Sequence, residues 1–240
     1  MIHYHGAEGV SKKALANVFA GRHVFISYAH HSCIEDIAPI CSSFALDNGA
    51  FSFWKSGKAT DWKGYYEWVE KWHKHPAFDW ALIPDVIDGS EMQNQQLLRE
   101  WPLPKHIGVP IWHVAESLIR LENLCRDWPR VAIGSSGVYS SINTVEWRQR
   151  MTEVWNLLCR HDEQPRVKIH GLRMLNPNVF TKYPFASCDS TTVSLNSNMN
   201  TKYKHLPQDE VCKANHLANV IELQQSAQNW EEKQTQQGLF

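Results

Sequence analysis

The chain alternates between short runs rich in β-branched and aromatic residues and longer stretches in which apolar residues recur every three or four positions. The short runs predict strands at residues 2–5, 23–28, 44–46, 80–83, 109–113, 130–133, 167–170 and 185–187. Among the longer stretches, "DWKGYYEWVEKWHK" sets Trp62, Tyr65, Tyr66, Val69 and Trp72 on one helical face, with Thr60 or Asp61 as the N-cap. "NTVEWRQRMTEVWNLLCRH" repeats this with Trp147, Met151, Val154, Trp155 and Leu158, and residues 209–230 repeat it with Val211, Ala214, Ala218 and Ile221. Strands alternating with helices imply a mostly parallel sheet covered by helices, since a parallel neighbour needs a long crossover. Eight such units in 240 residues match the size of a (β/α)8 TIM barrel, and an open doubly wound sheet fits the same periodicity.

No linker-like segment or shift in composition divides the chain, so a single domain over residues 1–230 is expected, followed by a Gln-rich C-terminal tail, 231–240. Hydrophobic residues make up 43% of the chain, yet no apolar run approaches the roughly 20 residues of a membrane span. The start "MIHYHGAEGV" lacks the basic-then-apolar pattern of a signal peptide, and the six cysteines show no paired spacing. A cytoplasmic protein with free thiols and no membrane partner is therefore expected. A formal charge of -1 exerts no overall pull on nucleic acid, so a nucleic-acid partner would need a local basic surface.

In either architecture ligands sit at the C-terminal ends of the strands. Those ends carry Asp47 in "LDNGAFSFW", Asp85 and Asp88 in "LIPDVIDG", and His113 and Glu116 in "IWHVAES". They continue with Gly134, Ser135 and Gly137 in "AIGSSGVYS", His170 and Arg173 in "KIHGLRM", and Asp189 in "SCDSTT". Taken singly, an Asp after a strand is as readily a helix cap, a Gly a turn residue, and His113 or His170 a satisfied core histidine. Asp47 and Asp189 fit capping least, because "NGAF" and "STTV" are poor helix starts. A polar mouth of this kind on an apolar barrel suits a small molecule or a base, with His113 and His170 as candidate base contacts.

The order of these segments resembles that of the tRNA-guanine transglycosylases and, in compactness, the phage and bacterial DNA-guanine transglycosylases that insert 7-deazaguanines into DNA. "LDNGAF" is similar to the family's Asp-Ser-Gly-Gly-Phe motif, "IPDVID" to its base-reading acid segment, and "IWHVAES" to the strand that ends in Gln-Gly. "IGSSG" is similar to its Gly-Gly-Leu loop and "FASCDSTT" to the segment holding the nucleophilic aspartate. The resemblance spans residues 44–193. It departs in two places: His113 stands where the family has Gln, and only Cys212 and His216 remain of a Cys-x-Cys-x-x-Cys…His zinc set. A structural zinc wants four ligands, so no zinc, no zinc-binding subdomain and no cofactor are expected.

The resemblance implies base exchange by double displacement, with Asp189 as the nucleophile on C1′ and Asp47 as general acid/base for the departing and arriving purine. Asp85 would accept hydrogen bonds from the purine N1 and exocyclic amine, and the backbone at Gly134 and Ser135 would border the base. Lys55, Lys58 and Lys63, interleaved with aromatics in "WKSGKATDWKG", and Arg173 with Lys182 are candidate phosphate contacts. DNA and a 7-deazaguanine base are thus the expected partners, with the target nucleotide flipped out or single-stranded. Action on tRNA, N-glycoside hydrolysis, and a non-catalytic subunit that holds nucleic acid for a partner protein are the alternatives.

Overall fold

The computed structural model describes residues 1–159, 164–197 and 209–230. Its strands are β1 (Ile2–Gly6), β2 (His23–Ser27), β3 (Ser43–Asp47), β4 (Phe78–Leu82), β5 (Gly108–Val109), β6 (Ile111–His113), β7 (Arg130–Gly134), β8 (Lys168–Gly171) and β9 (Ser187–Ser190). All pair in parallel, in the order β5-β4-β3-β2-β1-β9-β8-β7-β6. The two ends of that order, β5 and β6, are halves of one run interrupted at Pro110, which has no N–H to give a ladder. On one side the Val109 carbonyl accepts from Ile83 N at 2.9 Å; on the other the Pro110 carbonyl accepts from Ala132 N at 2.9 Å. One run therefore joins both edges, and the sheet curls into a nearly closed, TIM-like barrel rather than an open doubly wound sheet.

The helices are α1 (Lys12–Phe19), α2 (Ile34–Ile37), α3 (Ala50–Ser56), α4 (Trp62–Trp72), α5 (Glu91–Arg99), α6 (Leu118–Asp127), α7 (Val145–Cys159), α8 (Pro177–Phe180), α9 (Thr192–Ser197) and α10 (Glu210–Glu222). Local chemistry starts several of them. Asp61 caps α4 by accepting from Gly64 N at 2.9 Å, Ser90 and Gln93 form a reciprocal capping box on α5, and Asp209 accepts from Cys212 N at 2.8 Å at the head of α10. None of the helices is long and apolar enough to cross a membrane among the described residues.

Period-two alternation divides each strand between two apolar layers. Val24, Ile26, Phe44, Leu46, Val131, Ile133, Ile169 and Cys188 pack outward against the helices. Tyr4, Phe25, Ala45, Trp80, Leu82, Val109, Ile111 and Ala132 fill the barrel itself. The same parity turns Asp47, His113, His170, Ser187 and Asp189 inward, since each lies two residues, or an even number, from an interior position or its registered neighbour. The interior is also polar at its N-terminal end. There the β3–β4 register shifts around Asp79, Tyr4 donates its hydroxyl proton to Asp79, and Arg130 lies 3.5 Å from the same carboxylate.

Several sequence expectations need correction. The last strand is not 185–187 but β9: Pro184 lacks an N–H and Phe185 N turns back to the Tyr183 carbonyl at 2.9 Å, so pairing begins later and Asp189 lies inside the strand. Asp47 likewise ends β3 rather than following it. Helices do follow both acids, α3 from Ala50 and α9 from Thr192, although neither acid is the N-cap of a described helix. The first of these starts is possible because Gly49 adopts φ 76°, a left-handed conformation that suits glycine. Within 209–230 the helix stops at Glu222, because the following chain bonds elsewhere: Ala227 N donates to the Tyr183 carbonyl at 3.2 Å and Ser226 Oγ to the Phe185 carbonyl at 2.8 Å. The expected tail, 231–240, lies outside the described residues.

Candidate active site

Three acids from separate strands and loops converge at the C-terminal mouth of the barrel. Asp47 closes β3, in register with Ser27 on β2. Burial raises its carboxyl from 3.8 to about 7; the Ser27 hydroxyl and the Gly49 N–H pull the other way, while the charges of Asp189 and Asp85 push it further up. Part of the residue still reaches the surface. A carboxyl that titrates near neutrality can both hold and release a proton, the property wanted of a general acid/base.

Asp189 is only 4% exposed, and its two side-chain hydrogen bonds both fall on Oδ1. Arg173 N donates to that atom at 2.9 Å and His170 Nε2 lies 3.2 Å from it. Among the described residues Oδ2 receives no hydrogen bond, so one oxygen is anchored and the other is unengaged. Arg173 reaches this position with φ 58°, an unusual backbone for a non-glycine residue, and its guanidinium lies 3.4 Å from the centroid of the Phe51 ring on α3. It thereby ties the loop that follows β8 to the helix that follows β3.

Asp85, as buried as Asp189 at 4% exposure, is bonded on both of its oxygens. Asn48 Nδ2 donates to its Oδ1 at 2.9 Å and also to the Ile83 carbonyl at 3.0 Å, while Asn48 Oδ1 accepts from Ala50 N at 2.8 Å. Its Oδ2 lies 2.9 Å from His113 Nε2. Burial alone would lower the pKa of His113, but the hydrogen bond and charge of Asp85 outweigh it, and the imidazole is held above its usual 6.5. The other ring nitrogen is 3.3 Å from Ser136 Oγ. Gly134, in register with His113, leaves room beside that nitrogen: a Cβ there would come within 3.3 Å of His113 Nδ1.

The remaining expected residues divide between mouth and periphery. Ser135 uses its hydroxyl to accept from Trp147 Nε1 at 2.9 Å, which ties the strand end to α7. Glu116 is buried and bonded to His113 N, Asn94 and Arg120, so it supports the His113 loop. Asp88 is exposed and leaves the cap of α5 to Ser90. His170 is not on the rim at all: it is fully buried below Asp189. Lys55, Lys58 and Lys182 are exposed, and Lys63 lies on α4, 3.9 Å from Glu67. Cys212 and His216 are both exposed on α10, and no group of three or more His, Cys, Asp or Glu residues suited to a metal occurs among the described residues.

Asn48, Ser27, Ser136 and Ser187 are site neighbours that the sequence pattern does not single out. Ser187 alone had a usable signal, lying two positions before Asp189 and so on the same strand face. Two surface cavities, of 420 Å³ between α5 and α6 and of 620 Å³ at the N-terminal end of the barrel, lie away from the acids. Comparison with protein-family models, curated proteins and solved structures found no match to this chain.

Proposed function

We propose that the protein is a guanine transglycosylase built on a compact (β/α)8 barrel, exchanging guanine in DNA for a 7-deazaguanine base through a covalent aspartyl-sugar intermediate. The observation that carries this reading is the division of labour between two neighbouring carboxyl groups. Asp47 is poised near neutrality to move a proton, and Asp189 keeps one carboxylate oxygen unengaged. Base exchange needs that pair: an ionised oxygen to displace the base at C1′, and a proton carrier that serves first the departing and then the arriving purine.

In the first half-reaction Asp189 Oδ2 would attack C1′ as the C1′–N9 bond breaks, and guanine would leave with that electron pair and a proton from Asp47. In the second, the incoming base would attack C1′, the C1′–O bond would break, and the base proton would return to Asp47. Asp85 and His113 supply acceptor and donor beside this centre. Asp85 retains lone pairs beyond those that Asn48 and His113 occupy, and a purine donor edge could use them. Arg173 and the exposed Lys55 and Lys58 would supply positive charge for phosphates, and the target nucleotide would reach the acids flipped out or single-stranded.

The decisive experiment is nucleoside analysis. DNA and tRNA are digested from cells that express the protein together with a supply of 7-deazaguanine bases, and the nucleosides are identified by mass spectrometry. Modified deoxyguanosine in DNA is the expected result; modification confined to tRNA, or loss of guanine without replacement, would overturn the reading.

A further inference from the structure

His170 is expected from the sequence to touch the base, yet it is fully buried beneath the mouth, with its ring 4.7 Å from Trp80 and 5.5 Å from Phe25 between centroids. No substrate reaches a side chain so placed. Its two nitrogens nevertheless make a continuous chain, Nδ1 2.8 Å from Ser187 Oγ and Nε2 3.2 Å from Asp189 Oδ1. Resting on the transglycosylase reading above, we propose that His170, oriented by Ser187, is the positioning residue that anchors one oxygen of Asp189 and so reserves the other for attack on C1′.

The chain of donors has one direction. If the Nδ1 tautomer were present, the Nε2 lone pair would face a carboxylate oxygen, two acceptors in contact. The Nε2–H tautomer instead donates to Oδ1 while Nδ1 accepts the Ser187 hydroxyl proton, which satisfies all three groups. Burial keeps the ring pKa below 6.5 despite the hydrogen bond and charge of Asp189, so the donor is neutral. A neutral donor orients the carboxylate without placing a full positive charge on it, and so takes less from its nucleophilicity than a lysine or arginine would.

Arg173 N, three residues beyond His170 on the same strand-to-loop segment, donates to the same oxygen from a left-handed backbone conformation that is uncommon for a non-glycine residue. Two donors on Oδ1 also serve the return step. In the ester Oδ1 is the carbonyl oxygen, and when the C1′–Oδ2 bond breaks its electron pair leaves a carboxylate whose charge these donors already face.

The test measures covalent adduct formation in a single turnover, with an oligonucleotide that carries a good leaving base. It compares the wild type, Asp189→Asn, His170→Gln and the double variant His170→Phe/Ser187→Ala. The double variant keeps a ring against Trp80 and leaves no buried hydroxyl unpaired. It should slow adduct formation by about 10- to 100-fold, with the KM for DNA unchanged, and Gln, whose amide can still donate, should restore part of the rate. A double variant as fast as wild type, or one that raises KM at constant rate, overturns the inference while leaving the reading in place, provided that Asp189→Asn forms no adduct. A folded wild type that forms none removes both. Should the double variant fail to fold, imidazole ¹⁵N spectra of the wild type decide: a neutral Nε2–H ring at His170 between pH 6 and 8 supports the proposal, and an Nδ1–H ring overturns it.

Discussion

His113 Nε2 lies 2.9 Å from Asp85 Oδ2, and both side chains are almost wholly buried, at 7% and 5% exposure. The ionic part of such a pair's contribution to stability exists only while the imidazole carries its second proton, although a neutral ring can still donate from Nε2. The folded pKa of His113 lies above 6.5, so folding takes up a proton. The contribution is fully present below 6.5 and is lost as pH rises through the raised folded value. Urea unfolding of wild type and His113→Gln should show their difference shrinking from pH 6 to pH 8; a difference that grows with pH would contradict the assignment.

Removing one partner of that pair is a harsher change. His113→Phe leaves Asp85 with Asn48 as its one remaining hydrogen-bond donor among the described residues and should destabilise the protein by about 3 kcal/mol. Asp85→Asn keeps an acceptor for Asn48 and should cost less. Chemical denaturation midpoints at pH 7 compare the two.

Asp47 has the opposite consequence for stability. Its carboxyl rises from 3.8 to about 7 on folding, so the folded state favours the protonated form, and stability falls as pH climbs from 3.8 through about 7. Asp47→Asn removes that penalty. The variant should be more stable than wild type at pH 8, by at most roughly 4 kcal/mol, and the advantage should vanish near pH 4. Wild-type base exchange should also decline above pH 7, where the acid has lost its proton.

Asp189→Asn should reduce exchange by at least about a thousandfold without unfolding the protein. The amide oxygen still accepts from Arg173 N and His170, but it carries no nucleophilic charge. Denaturing gels separate the two acids further. With a good leaving base Asp47→Ala should still form a slow adduct and Asp189→Ala none; the reverse pattern would exchange their roles.

Gly171, at the end of β8, has no room for a methyl group. An added Cβ would lie 2.9 Å from both Cys188 Sγ and Met174 Cβ. Gly171→Ala should therefore destabilise by about 1–3 kcal/mol and, by shifting the strand next to Asp189, slow exchange. Thermal melts and rates of the same preparation measure both effects.

Periodicity alone located most of the strands, though not the bounds of the last, and the helix faces, because alternation and the i, i+3, i+4 spacing are local consequences of which side of each element is buried. Trp147, Met151, Val154, Trp155 and Leu158 are all buried as their spacing predicts. The acids near the C-terminal ends of strands were legible for a local reason too: Asp47 and Asp189 each follow an apolar or small-residue run and do not fit as caps of the segments after them. Closure of the sheet was not legible, since Pro110 splits one strand between two partners and a pairing partner is a long-range choice. Nor was the fate of each polar side chain. His113 and His170 look alike along the chain, each following an apolar strand. Depth separates them: His113 faces Asp85 near the mouth, while His170 lies buried under Asp189, where burial and Ser187 decide its proton. Protonation, tautomer and the choice of which oxygen stays unengaged depend on neighbours brought from distant segments, and only the tertiary structure brings them together.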